Sequence, residues 1–391
     1  MAPTVYDLSR EQLAELLAGE PGYRSAQVWR ALWERGTWPE DMSELPKSLR
    51  HRLGSMLSPA LHEVSRSTSA DGSTTKWLWE LPDGARVETV LMLYPRRATV
   101  CVSSQAGCAM GCSFCATGQG GFTRQLSSGE IVEQVVAARR AALPRRLDNV
   151  VFMGMGEPLA NYGRAWGAVE RIHSHLGISA RRITLSTVGV VPGIKRLAGE
   201  VLPVNLAVSL HAARDELRDQ LVPLNRRYPL SALMDACAGY VETKRRRLSF
   251  EWALIAGVND TARDAAELAG LALALPLAAH VNLIPLNPTP LYPEKGTPPE
   301  GVATFEESLL SRGVNVTVRD NRGTDIAAAC GQLAGAARER LAGAPTLGSR
   351  AAPGSGSGTR LGAPAPGSGR RHQARGAGTK PIALGARVVP K

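Results

Sequence analysis

The chain has 391 residues, with 46 Lys and Arg against 35 Asp and Glu, a formal charge of +11. At about 150 residues per domain this allows two or three domains, or one barrel with appendages, and an apolar content of 44% excludes wholesale disorder. Excess positive charge suits nucleic acid or an acidic surface, but residues 341–391 hold eight Lys and Arg and no acid, leaving +3 on the rest.

The opening MAPTVYDLSREQ is polar and acidic where a secretory signal needs an apolar run, so the chain reads as cytoplasmic. Residues 1–75 read as a small helical accessory domain. LSREQLAELLA, YRSAQVWRALWERG and SELPKSLRHRLGSML have helical spacing, with breaks at Pro21, Pro39 and Pro59. Residues 76–97 read as a hairpin and linker, two alternating runs about Pro82-Asp83-Gly84. From residue 98 to 342 strands alternate with helices. The strands are ATVCVSS (98–104), NVVFM (149–153), RITLST (182–187), VNLAVSL (204–210), LSFEWALI (248–255), HVNLIPL (280–286) and VNVTVRD (314–320). Among the helices, Ser127–Ala142 opens on a capping box of Ser127 and Glu130.

This rhythm predicts an α/β fold with a parallel sheet closed into a full or partial barrel. A Walker A loop is excluded, because the sequence has no Gly-Lys dipeptide. The uncharged stretch Leu268–Pro293 is interrupted by Pro276, His280, Asn282 and Pro285, and so reads as a helix end and a buried strand, not a membrane span. Residues 343–391, rich in Gly, Ala, Pro and Ser and without aromatics, read as a disordered basic tail.

In such barrels the chemistry sits at the C-terminal ends of the strands. The first strand runs into Cys108-Ala-Met-Gly-Cys112-Ser-Phe-Cys115. Three thiols this close argue for metal or redox chemistry over a disulfide framework. No fourth Cys or His follows at finger spacing, so the set suits an iron–sulfur cluster with one open iron. Zinc with a remote fourth ligand, or no metal, are the alternatives. Polar residues recur at other strand ends: Gly156 and Glu157 after the second, Ser186 at the third, Ser209-Leu210-His211 at the fourth, and Asn287 after the sixth. Each alone reads as a cap or loop residue; together they suggest a ligand site.

CxxxCxxC after the first strand of an α/β barrel resembles the radical S-adenosylmethionine (SAM) superfamily. That resemblance implies a partial (β/α)6-type barrel. It also implies a [4Fe-4S] cluster with Cys108, Cys112 and Cys115 as its three ligands, and an open iron that binds SAM. Gly156, Glu157, Ser186, Ser209, Leu210, His211 and Asn287 would then be cofactor-binding. The wider pattern is similar to the RlmN/Cfr family of RNA adenine methyltransferases over about residues 5–340. It is carried by CVSSQAGCAMGCSFCATGQGGFTR, VFMGMGEPLANY, ITLSTVGVVPGI, LAVSLHAARDELR, LIPLNPTP and RDNRGTDIAAACGQL.

The family implies methylation of carbon 2 of adenine 2503 in 23S rRNA and of adenine 37 in tRNAs. It implies Cys330 as methyl carrier and Cys101 as the thiol that resolves a covalent RNA adduct, a Cys101–Cys330 disulfide forming as product leaves. Glu88 matches the proton acceptor; its bland reading is an exposed strand carboxylate. Cys237 reads as a small buried residue. The family further implies an external electron donor such as a flavodoxin system and a monomer without membrane contact. Arg96-Arg97, Arg139-Arg140, Arg145-Arg146, Arg181-Arg182, Arg226-Arg227 and Lys244–Arg247 are candidate phosphate contacts or plain solvated ends. Trp29, Trp33 and Trp38 belong to a core or to an RNA-docking module, and the tail would add salt-sensitive RNA affinity. The nearer alternative is Cfr-type methylation of carbon 8; the remoter one is a non-catalytic zinc RNA-binding protein.

Overall fold

The computed structural model describes residues 4–334, and the tail expected at 343–391 lies outside them. Its strands are β1 (His62–Thr68), β2 (Thr74–Glu80), β3 (Arg86–Tyr94), β4 (Arg97–Cys101), β5 (Gln105–Gly107), β6 (Phe122–Gln125), β7 (Leu147–Phe152), β8 (Ile183–Thr187), β9 (Asn205–Ser209), β10 (Ser249–Leu254), β11 (His280–Pro285) and β12 (Asn315–Val318). One sheet takes ten of them, in the order β1-β2-β3-β4-β7-β8-β9-β10-β11-β12. From β4 onward every neighbour is parallel. Helices fill each crossover, as parallel pairing requires.

The seven strands expected between 98 and 320 are all present. Their apolar runs are legible because both faces are covered; five of the six residues of β10 are buried. Leu268–Pro293 is the end of the helix Ala262–Leu273 followed by β11. No helix among the described residues is long and apolar enough to cross a membrane.

One feature differs from expectation. β1 was not foreseen; nearly all of its residues are exposed, so an edge strand with neither face covered lacks the period-two signal. The expected hairpin is that of β2 and β3, and it extends the sheet. β3 pairs antiparallel with β4, from Val90 opposite Cys101 to Tyr94 opposite Arg97. It takes the edge of β4 that a closed barrel would offer to its last strand. The sheet therefore curls without closing, and the chain after β12 crosses the gap.

The N-terminal helices dock on the first barrel helix, Ser128–Ala142. Asp7 caps it, accepting from the Gly129 N–H at 2.6 Å and the Ser127 hydroxyl at 2.8 Å. Glu133 on the same helix accepts from the Ala60 and Leu61 N–H groups, each at 3.1 Å. Trp29 and Trp33 are buried, and the Trp33 ring lies 4.7 Å from the His175 ring on a later helix. They are core; Trp38 packs against that core. Much of the basic inventory is engaged as well. Arg139, Arg145 and Arg146 donate to backbone carbonyls, Arg182 pairs with Asp148, and Arg246 donates to Asn205.

Candidate active site

The three clustered cysteines stand on a loop that β5 and β6 pinch at its base. Cys108 N–H donates to Gly121 C=O at 2.8 Å. Gly107 holds φ +74°, and a Cβ there would meet the Gly121 oxygen at 2.0 Å, so only glycine allows this closure. Cys115 N–H returns to Cys112 C=O at 3.2 Å. The three sulfurs face one cavity of about 1070 Å³ including its open mouth. Burial pushes the Cys108 thiol up to about 12 and the Cys112 thiol well above its ordinary value, and the neighbouring cysteines add to both.

The ends of β7 to β12 supply the other walls. Gly156, Glu157, Ser186, Ser209, His211, Asn287 and Cys330 all line this cavity. Gly156 has φ +99° and lies so close to Gln105 that a Cβ would sit 2.5 Å from the Gln105 Cβ. Gln105 in turn accepts the Glu157 N–H at 2.8 Å. The buried Glu157 carboxylate accepts from Val188 N–H and Leu159 N–H, both at 2.9 Å, and burial still lifts it to about 7. His211 has φ 59°, its Nδ1 accepts the Ala253 N–H at 2.9 Å, and burial drives it down to about 3. It is a neutral imidazole whose ring stacks edge-on to Phe114 of the cysteine loop, 4.7 Å away.

Three expected residues stand elsewhere. Leu210 is buried beneath the cavity, and its carbonyl accepts from Arg218 Nε at 3.0 Å. Cys101 is buried in a smaller adjoining cavity that Cys330 also lines. Glu88 lines neither cavity and is buried, not exposed. It pairs with buried Lys76 at 3.0 Å and accepts the Ala334 N–H at 2.6 Å. The Cys101–Cys330 disulfide is not formed, because all six cysteines are free thiols. Cys237 is the small buried core residue expected.

Asn287 takes a different part from a plain rim residue: its Nδ2 donates to the Cys330 carbonyl at 3.1 Å. Sequence reasoning passed over Arg218 and Arg319. Arg218 is 1% exposed and donates to the carbonyls of Leu210, Ser209 and Val188 and to Asn225, tying the ends of β8 and β9 together. Burial lowers it to about 10. Its DELR context reads as a solvated helix face, so nothing local marks it. Arg319 ends the run VNVTVR, and only its place beyond a strand end hinted at the site.

The chain matches the Radical SAM superfamily over residues 102–269. It is 50% identical to the probable dual-specificity RNA methyltransferase RlmN of Chloroflexus aurantiacus over 85% of this chain and 92% of that one. The protein of the same description from Frankia casuarinae is 52% identical over 84% and 82% of the two chains. The chain belongs to the RlmN family. Among solved structures, a radical SAM methyltransferase from Sphaerobacter thermophilus superposes with a TM-score of 0.81 at 50% identity, covering 84% of this chain and 98% of that one.

RlmN family membership implies SAM and a [4Fe-4S] cluster, and the residues fit that pair. The donors on the cavity wall are soft thiols, as a cluster takes. Among the described residues no group of three Cys, His, Asp or Glu stands close enough to hold one metal ion. A cluster instead takes one thiolate per iron, over a wider triangle. Loading must displace the thiol protons that burial retains.

Proposed function

We propose that the chain methylates RNA with dual specificity, at carbon 2 of adenine 2503 in 23S rRNA and of adenine 37 in tRNAs. The observation that carries this reading is the meeting of Cys330 with the three-cysteine loop in one cavity, with Cys101 adjoining. Family resemblance supplies the target atom. Cys108, Cys112 and Cys115 are the three ligands in this reading. When bound, the cluster with SAM supplies a radical able to take hydrogen from an inert C–H bond.

The chain's own residues bind and position. Glu157 receives the SAM ammonium, while Gly156 keeps the backbone clear beside it. Ser186, Ser209 and Asn287 offer hydrogen bonds along the rim, and His211, with Nδ1 engaged, presents its other nitrogen as a donor. Cys330, held through its carbonyl by Asn287, carries the methyl group to the base. Cys101 resolves the covalent protein–RNA adduct. Glu88 is the proton acceptor of the family pattern, and here its hydrogen bond to Ala334 also holds the Cys330 segment. The target adenine must enter unstacked, from a loop or distorted helix. An external electron donor, a cytoplasmic setting and a monomer belong to the same reading.

Anaerobic reconstitution with SAM, reductant and an rRNA fragment, followed by nucleoside mass spectrometry, tests it. The expected product is 2-methyladenosine. The 8-methyl isomer would reassign the chain to Cfr-type chemistry, and no methylated base would sink the proposal.

A further inference from the structure

The short helix Asp215–Leu221 stands behind the main cavity and sends two groups toward it. At its end the Leu221 C=O accepts from Ser113 N–H at 3.2 Å and so braces the cysteine loop. Arg218, on the same helix, does not line the cavity; it is buried against the back of the wall in which β8 and β9 end. Four oxygens meet its guanidinium. Nε donates to Leu210 C=O at 3.0 Å, Nη1 to Asn225 Oδ1 at 2.9 Å, and Nη2 to the carbonyls of Val188 and Ser209 at 2.7 and 3.3 Å. None of the four is a carboxylate. Asn225 is locked in turn, its Nδ2 donating to Asp215 and Asp219 at 2.8 Å each, which leaves its Oδ1 facing Arg218.

We propose that Arg218 is the positioning residue of the cofactor wall: its planar fork sets the ends of β8 and β9, and with them the Glu157 carboxylate and the Ser209 hydroxyl, where they bind SAM. The inference rests on the reading of Glu157 and Ser209 as SAM contacts. The ladder between β8 and β9 stops at Thr187 opposite Val208. The next residue on each strand, Val188 and Ser209, lines the cavity, and one nitrogen of Arg218 joins their carbonyls where the ladder no longer does. Val188 passes the constraint on, because its N–H donates to Glu157 Oε2 at 2.9 Å. Leu210, held by Nε, connects Ser209 to His211. A cation buried among neutral oxygens carries a desolvation cost that an apolar side chain avoids, so packing alone does not account for it. Five donors in one plane are what can span two strand ends and a neighbouring amide together.

The test measures binding of S-adenosylhomocysteine, which has the amino and carboxylate groups of SAM but no methyl to give. Equilibrium dialysis against anaerobically reconstituted holoenzyme gives the affinity, and iron content reports that each variant keeps its cluster. Arg218→Gln is expected to bind about tenfold more weakly, the worth of one hydrogen bond to a charged group, with iron unchanged. Glu157→Gln should weaken binding to a similar degree. In the double variant the two losses should not multiply, because both act through one carboxylate. Combined with Asn287→Ala, which lies beyond β11 and outside the Arg218 contacts, the loss from Arg218→Gln should multiply in full. Unchanged affinity in Arg218→Gln, or a loss that multiplies with Glu157→Gln as it does with Asn287→Ala, overturns the inference and leaves the cofactor wall standing. Wild-type affinity in both Glu157→Gln and Ser209→Ala overturns the wall, and the inference with it. Should Arg218→Gln lose its iron, Arg218→Lys, which keeps the charge but not the fork, takes its place in the same cycle under the same outcomes.

Discussion

Two segments bring sulfur to this site, and they are held in opposite ways. The loop from Cys108 to Gly121 closes on itself through the β5–β6 pairing and the short helix Ala116–Gln119. The segment around Cys330 makes its own turns but takes its position from distant elements. Asp325 accepts from Ala70 N–H at 2.9 Å, Lys76 donates to Ala327 C=O at 3.1 Å, and Arg322 donates to Ser73 at 3.1 Å. The two segments meet directly, with Ala116 N–H donating to Gly331 C=O at 2.8 Å and Thr117 Oγ1 to Leu333 C=O at 2.5 Å. The loop proposed to hold the cluster is thus built locally, while the segment that bears Cys330, the proposed methyl carrier, is placed by the rest of the fold. Damage to the anchors should silence Cys330 and spare the cluster.

The sharpest break of that contrast is by alanine at the sulfurs. Cys108→Ala, Cys112→Ala or Cys115→Ala should abolish turnover and strip iron and brown colour together, read by iron analysis and visible absorbance. Cys330→Ala should abolish methyl transfer as completely while keeping the iron; lost iron would mean the segments are not separable. Cys101→Ala should halt the reaction part-way and leave a nuclease-sensitive protein–RNA species on a denaturing gel, and normal turnover would refute its role. Lys76→Met takes a cation from buried Glu88 and should lower stability by about 3 kcal/mol, slowing turnover with iron content unchanged. At neutral pH the smallest effect is that of His211, which emerges only in acid. His211, against Phe114, is held neutral down to about pH 3 when folded, against 6.5 otherwise. Protonation therefore favours the unfolded chain: stability is full above 6.5 and falls by about 1.4 kcal/mol per unit as acid is added below it. Denaturant melts of His211→Gln should show a flatter acid limb than the wild type.

What the sequence disclosed follows the same division. The cysteine loop was legible because ligand spacing and glycines are local, and the barrel strands because both faces bury apolar runs. Ser186, Ser209 and Asn287 were found from their repeated place beyond strand ends. β1 escaped because an exposed edge leaves no alternation. Arg218 and Arg319 escaped because a buried arginine is spelled like a solvated one; only the carbonyls and the carboxylate brought to it from other strands reveal it. The alternative reading of Glu88 as an exposed strand carboxylate arose for the same reason, its partner Lys76 standing on the neighbouring strand.

The gap between β12 and the hairpin has a consequence of its own. No backbone ladder crosses it among the described residues; side-chain bonds from Lys76, Glu88 and Arg322 stitch it shut. A sealed ring admits only what fits through its mouth, whereas a seam fastened by side chains can part along its length. A base still attached to a long polymer needs such a doorway, and in the proposed relay the residue that carries methyl to that base, Cys330, belongs to the segment that crosses the gap.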